Sequence, residues 1–149
     1  MKFTTKILSI IPLLILLTLS SFATPLNGTY TINSASATGG TNFISFNAAE
    51  DSLTANGVSG PVLFLVKQGT YTEQVSFGGI TGASATNTIT FKADPTNTSE
   101  AKIQFNGATS TANNYVIQLN GSTYFVFDSL SISSTTGSTY GKLVNFTGA

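Results

Sequence analysis

The chain has 149 residues, a formal net charge of zero and only 8% charged residues. It contains no Cys, His, Trp or Arg, which excludes a disulfide framework, a His-based catalytic triad and a zinc site of the Cys/His kind within these residues. With lysines as its only cations, it has nothing from which to build a basic groove along phosphates, and nucleic acid is not an expected partner.

Residues 1–23 read as a secretory signal peptide: Lys2 and Lys6 give a basic start, residues 7–19 an apolar core, and Ser21-Phe22-Ala23 a small-x-small cleavage site. The apolar core is short for a bilayer span and carries Pro12, so no membrane span is expected after cleavage. No Cys follows it, which argues against a lipid anchor. The expected location is outside the cell or on its outer surface. The remaining 126 residues carry four Lys against six acids, and 62 of them are Ser, Thr, Asn or Gly. Regularly spaced β-branched and aromatic residues argue for a folded all-β body rather than disorder.

Residues 24–42 read as a Ser/Thr/Gly-rich leader with one short strand, GTYTIN at 28–33. A helix is expected over residues 45–56. Phe46, Ala49 and Leu53 share one face, Ser45 or Asn42 offers an N-cap, and Gly57 sits where a helix-ending glycine belongs. One apolar stripe and one polar face suit a lid over the end of a core.

Beyond Gly60 apolar pairs alternate at Val75/Phe77, Ile89/Phe91, Ile103/Phe105, Ile117/Leu119, Leu130/Ile132 and Val144/Phe146. Phe64, Phe91, Leu119 and Phe146 are spaced by 27, 28 and 27 residues, and Phe77, Phe105 and Ile132 by 28 and 27. A shared period of this size is the mark of a repeat architecture in which each coil stacks on the one before. The expected fold is a right-handed parallel β-helix of about three coils of 27–28 residues, started by the capping helix. Gly69, Gly78-Gly79, Asn106-Gly107 and Asn120-Gly121 supply residues that tolerate sharp corners. Phe125 and Phe127 alternate on odd positions but Leu130 and Ile132 on even ones, so a bend is expected near Asp128-Ser129. The alternative is an antiparallel β-sandwich, with YVIQL-NG-STYFVF at 115–127 as a hairpin.

The stretches FISFNAA at 43–49, VLFLVKQGTYTEQV at 62–75 and FVFDSLSI at 125–132 resemble the opening coils of pectinesterases and, more broadly, of pectin-lyase-like β-helix proteins. The leader GTYTI and the GG-TNF run at 39–43 look similar to large secreted bacterial β-helix proteins rich in Thr, Ser and Asn. The resemblance implies a fold; it does not carry catalytic residues over. On this alignment Lys142 stands where pectinesterases bring a Gln, and their paired Asp and Arg would fall in later coils. Calcium-dependent lyase chemistry would need clustered acids and a cationic base. Glu50, Asp51, Glu73, Asp94, Glu100 and Asp128 form no D-x-D cluster. No catalytic, cofactor or metal residue is assigned.

Single residues read mainly as structural. Glu73 fits a coil edge, and Asp128 fits the turn at the parity break. Tyr30, Tyr71, Tyr124 and Tyr140 fit ladder and corner packing, with stacking on sugar rings as the sharper alternative. Asn-x-Ser/Thr matches at Asn27, Asn97, Asn120 and Asn145 are expected by chance in such a composition. Asp-Ser-Leu at 51–53 and 128–130 resembles an acceptor pattern for O-glycosylation in some secreted bacterial proteins. Residues 43–149 read as the capping helix and first coils of a longer protein, whose open last coil would self-associate if not continued. Two functions follow: a non-catalytic adhesion or glycan-binding module, with polysaccharide or cell-surface glycan as partner, or the front end of a polysaccharide-active enzyme whose site lies beyond residue 149.

Overall fold

Alternation of buried and outward residues sets the architecture. In strand β3 (Val58–Val66) Val62, Phe64 and Val66 are fully buried while Leu63 and Leu65 face outward, the period of two that places successive side chains on opposite faces. The computed structural model describes residues 24–105, 113–134 and 141–148. The signal-peptide segment, residues 106–112 and Tyr140 therefore lie outside the described residues.

The chain runs as β1 (Leu26–Ile32), β2 (Asn42–Phe43), helix α1 (Phe46–Asn56) and then β3. β4 (Gly69–Thr72), β5 (Val75–Phe77), β6 (Ile89–Ala93), β7 (Ala101–Phe105) and β8 (Ile117–Asn120) follow. β9 (Phe125–Asp128), β10 (Ser131–Ser134) and β11 (Val144–Thr147) complete the order. These strands form three sheets, ordered β2-β1-β3-β6-β9, β4-β7-β10 and β5-β8-β11, and every paired strand is parallel. From β3 onward the chain visits the first, second and third sheet in turn, three times over. The fold is all-β with mostly parallel strands, an arrangement compatible with a parallel β-helix.

Parallel pairing throughout overturns the antiparallel sandwich. β8 and β9, the arms of the expected Asn-Gly hairpin, lie in different sheets. Gly121, at φ +64, turns a corner between them instead. The only antiparallel contact among the described residues is an isolated bridge between Gly39 and Asn42.

The uniform beat is corrected as well. Phe64 does stack over Phe91, and Leu119 over Phe146, each 27 positions apart. Phe91, however, is followed by Phe127 and not Leu119, a step of 36. Tyr71 meets Ile103 after 32 positions and Ile103 meets Ile132 after 29. Phe77 meets Leu119 after 42, and Phe105 pairs with Ser134. The two series had stepped between sheets, because every strand carries a similar apolar pair. Coil length varies because corner loops lengthen at small entropic cost, whereas the strands between them must keep register to hold their side chains inside.

The local expectations hold. Ser45 caps α1 by accepting from Ala48 N at 3.0 Å, and Gly57 ends it at φ +67. Phe46, Ala49 and Leu53 are its buried face. The helix lies against the core end where β4 and β5 are the edge strands: Phe46 meets Tyr71 edge-on at 5.3 Å between ring centroids and stacks on Phe91 at 5.7 Å. The parity break is a corner at Ser129, φ +58, where the chain leaves the first sheet for the second. The leader is joined to this body, since β1 pairs with β3 and buries Leu26 and Ile32.

The interior is an aromatic column. Phe64 and Phe91 stack at 4.7 Å, Phe91 and Phe127 at 5.5 Å, and Phe77 sits beside both Phe91 and Phe125 at 5.2 and 5.0 Å. Such ring pairs add about 0.5–1.5 kcal/mol each beyond the area they bury. Among the described residues no helix is long and apolar enough to cross a membrane.

Candidate functional site

The corner between the first and second sheets is turned three times, and the three turns differ. The first uses Lys67 and Gln68 and the third uses Ser129 and Leu130, but the middle turn spans residues 94–100. This longer loop projects from the stack as a ledge. Pro95 sits directly after Asp94, where a turn starts readily. Asp94 accepts from Thr96 N at 2.8 Å and Thr96 Oγ1 at 2.6 Å, the self-bonded turn that Asp favours.

The ledge is pinned to the corner beneath it. Lys67 Nζ lies 2.6 Å from Asp94 Oδ2, and Asp94 is only 6% exposed. Asn97 donates from Nδ2 to Val66 O at 2.9 Å while its Oδ1 accepts from Gln68 N at 2.9 Å. Gln68 Oε1 in turn accepts from Thr98 N and Thr98 Oγ1, at 2.8 and 3.1 Å. Backbone bonds from Asp94 N to Val66 O and from Gly69 N to Glu100 O close the two ends.

A cleft of about 450 Å³ lies along the ledge and reaches the third turn, and the pinned residues Asp94, Asn97 and Thr98 form part of its wall. Ala93, Pro95, Ser99 and Ala101 line it together with Lys92, Glu100 and Ser129. It is shallow and open to solvent along most of its length. Lys92 is held by Asp128 at 2.5 Å across the first sheet, and Lys102 by Glu100 at 2.8 Å.

Every carboxylate at this corner is thus matched by one lysine, and the pairing shows in its titration. The hydrogen bond from Lys67, with those from Thr96, holds Asp94 down at about 2. The hydrogen bond from Lys102 lowers Glu100, and that from Lys92 lowers Asp128. All three are ionised at neutral pH, so none is a carboxylic acid kept protonated to act as general acid. Among the described residues no three Asp or Glu come together as a cation would require. What the cleft offers chemically is binding by hydroxyl, amide and backbone groups.

The residues singled out from sequence fall elsewhere or serve the fold. Glu73 accepts from Phe46 N and Asn47 N at 2.9 and 3.0 Å and from Asn47 Nδ2 at 2.8 Å, so its carboxylate sits on the orphan donors of the α1 N-terminus. Asp128 ends β9, receives Lys92 and accepts from Ser129 Oγ. Tyr71 is buried and bonds the carbonyls of Ile32 and Lys67 at 2.9 and 3.0 Å; burial pushes its phenol up, so it remains a neutral donor. Tyr30 packs against Phe43 and Phe64, while Tyr124 is exposed at a corner with φ +64. Of the Asn-x-Ser/Thr matches, Asn97 is the one built into the ledge, and Asn120 and Asn145 accept from Thr147 and Lys142. Asn27 is an exposed residue of β1. One Asp-Ser-Leu lies within α1 with Leu53 in the core; the other is the turn opposite the ledge.

The ledge itself was missed by sequence reasoning, which recorded Asp94 only as one of six acids. Its signal was present in Asp-Pro-Thr-Asn-Thr-Ser at 94–99, a longer turn cluster than the other two corners carry. Comparison of the chain with protein-family models, curated proteins and solved structures returned no significant match.

Proposed function

We propose that this chain forms a right-handed parallel β-helix of the pectin-lyase-like kind, in an exported protein, and that it serves as a non-catalytic adhesion or glycan-binding module. The parallel order of the three sheets and the helix over the core end support the fold reading. Its hand follows from the strong preference of parallel crossovers for right-handed connection. The basic start, apolar core and cleavage pattern of residues 1–23 support export.

One observation carries the functional reading: the most built feature of the surface is a pinned ledge over an open cleft whose acids are all ionised and paired. Such a surface can hold a hydroxyl-rich ligand but offers no proton donor or activated nucleophile. An enzyme front end would need its acid and base from residues other than those described.

A glycan array and a whole-cell adhesion assay with the exported protein test this. Binding to at least one glycan class, without release of product from it, is the expected result. Blank results in both assays would remove the reading. N-terminal sequencing of secreted protein is expected to start at Thr24; retention in the cytoplasm would overturn export.

A further inference from the structure

We infer that the cleft between the 94–100 ledge and the Ser129 corner is a subsite for a neutral saccharide rather than an acidic one. The inference rests on the glycan-binding reading above and narrows it to a place and a ligand class.

The geometry of the ledge is the first argument. Its hydrogen bonds run towards the first turn: Asp94 to Lys67, Asn97 to Val66 and Gln68, Thr98 to Gln68. The residues fastened in this way, Asp94, Asn97 and Thr98, also form part of the cleft wall, so the wall is held in place before any ligand arrives. Ser99 is exposed, and the exposed Pro95 and half-buried Ala93 add apolar surface beside it. A loop fastened in this way loses little freedom when a ligand arrives, which is the main cost of binding at a surface cleft.

Charge is the second argument. A polyuronate carries one carboxylate per sugar and needs either unpaired cations or a bridging divalent ion. Here Lys67, Lys92 and Lys102 are each already held by a carboxylate, at 2.6, 2.5 and 2.8 Å. Drawing Lys67 to an acidic ligand would strand the buried Asp94, and the carboxylates of Asp94 and Glu100 in the cleft wall would face that ligand's own negative charge. No acid trio among the described residues could hold a bridging ion. A neutral sugar meets none of these penalties. Its hydroxyls can bond Ser99 and Ser129, while its C–H faces rest on Pro95 and Ala93.

The experiment titrates the mature protein with cellohexaose, mannohexaose, xylohexaose and hexagalacturonate, following backbone amide shifts by NMR. At least one neutral hexasaccharide is expected to move the amides of Ala93, Ser99 and Ser129. Its affinity should change less than about twofold between low and high salt, since no charge is neutralised. Ser99→Trp fills the cleft from an exposed position with no side-chain bond to break, and should weaken binding by at least about tenfold. An unchanged affinity in that variant would move the site elsewhere and overturn this inference while leaving glycan binding intact. Equal or tighter binding of hexagalacturonate would overturn the ligand class alone. If no hexasaccharide bound, both the inference and the glycan-binding reading would fall.

Discussion

Phe77 and Phe146 occupy the same column of the third sheet, with Leu119 between them. Phe77 is fully buried and Phe146 is 76% exposed. Around Phe77 the helix, Phe91 and Phe125 close the core from several sides, whereas β9, β10 and β11 have no further strand beside them among the described residues. The two rings have the same chemistry and the same inward-facing parity, yet only one is enclosed. In a stacked architecture burial belongs to the neighbours above and below, and each coil draws its stability from the interface it shares with the next.

The largest expected effect lies in the middle of the aromatic column. Phe91 touches the rings of Phe46, Phe64, Phe77, Phe125 and Phe127, so it links the cap to all three circuits. Phe91→Ala should cost about 3–5 kcal/mol in a urea melt, the usual range for a buried ring. A loss under about 1 kcal/mol, within the range of surface substitutions, would mean that the column does not transmit stability between coils.

The column comparison itself is tested by a pair of variants. Phe77→Ala should cost about 3 kcal/mol or more, and Phe146→Ala less than about 1 kcal/mol, because the latter removes little buried area. Equal losses would show that the last circuit is covered in solution, by another copy or otherwise; a concentration-dependent Tm for the parent would identify self-association.

Next comes the helix at the covered end. Glu73→Ala leaves the Phe46 and Asn47 amides without their carboxylate and should cost about 1–2 kcal/mol, with the amide of Phe46 losing hydrogen-exchange protection first. Glu73→Gln should recover part of the loss, since one amide oxygen can still accept. If Glu73→Ala melted like the parent, the carboxylate would not be what holds the helix over the core end.

These contrasts also explain what could be read from the chain. The helix was legible because its signals are local: Ser45, Gly57 and the Phe46, Ala49, Leu53 stripe lie within a dozen residues. The corner at Ser129 was legible for the same reason, since a parity change needs only neighbouring residues to detect. Coil length was not. The turn cluster at 94–99 marks a longer loop than Lys67-Gln68, but how many residues each corner holds is fixed only once the strand register is known. The cleft was illegible because its supports are distant in sequence. Asp94 finds Lys67, and Asn97 finds Gln68, only after a full circuit brings them together.

The last contrast sets the pinned ledge against the short corner at Asp128, through pH. The folded-state value for Asp94 is held at about 2 against 3.8 for the free group. A depressed carboxylate stabilises the fold when ionised, so its contribution is complete above about pH 5 and is lost as pH falls through 4 towards 2. The full shift would correspond to over 2 kcal/mol, but the lysine end of the pair is more than one-third exposed and screened, so about 1 kcal/mol is expected. Asp94→Asn should therefore lower Tm by about 4 °C at pH 7 and far less near pH 2, where the parent's carboxyl is about half protonated and most of its contribution is already lost. Asp128→Asn should move the same curve far less, because Asp128 and Lys92 are both well exposed and their pairing lies on the outer face of the sheet. An Asp94→Asn curve parallel to the parent's from pH 7 to 2 would show that the carboxylate's charge does not hold the ledge, leaving the Asn97 and Gln68 amides as its fastening.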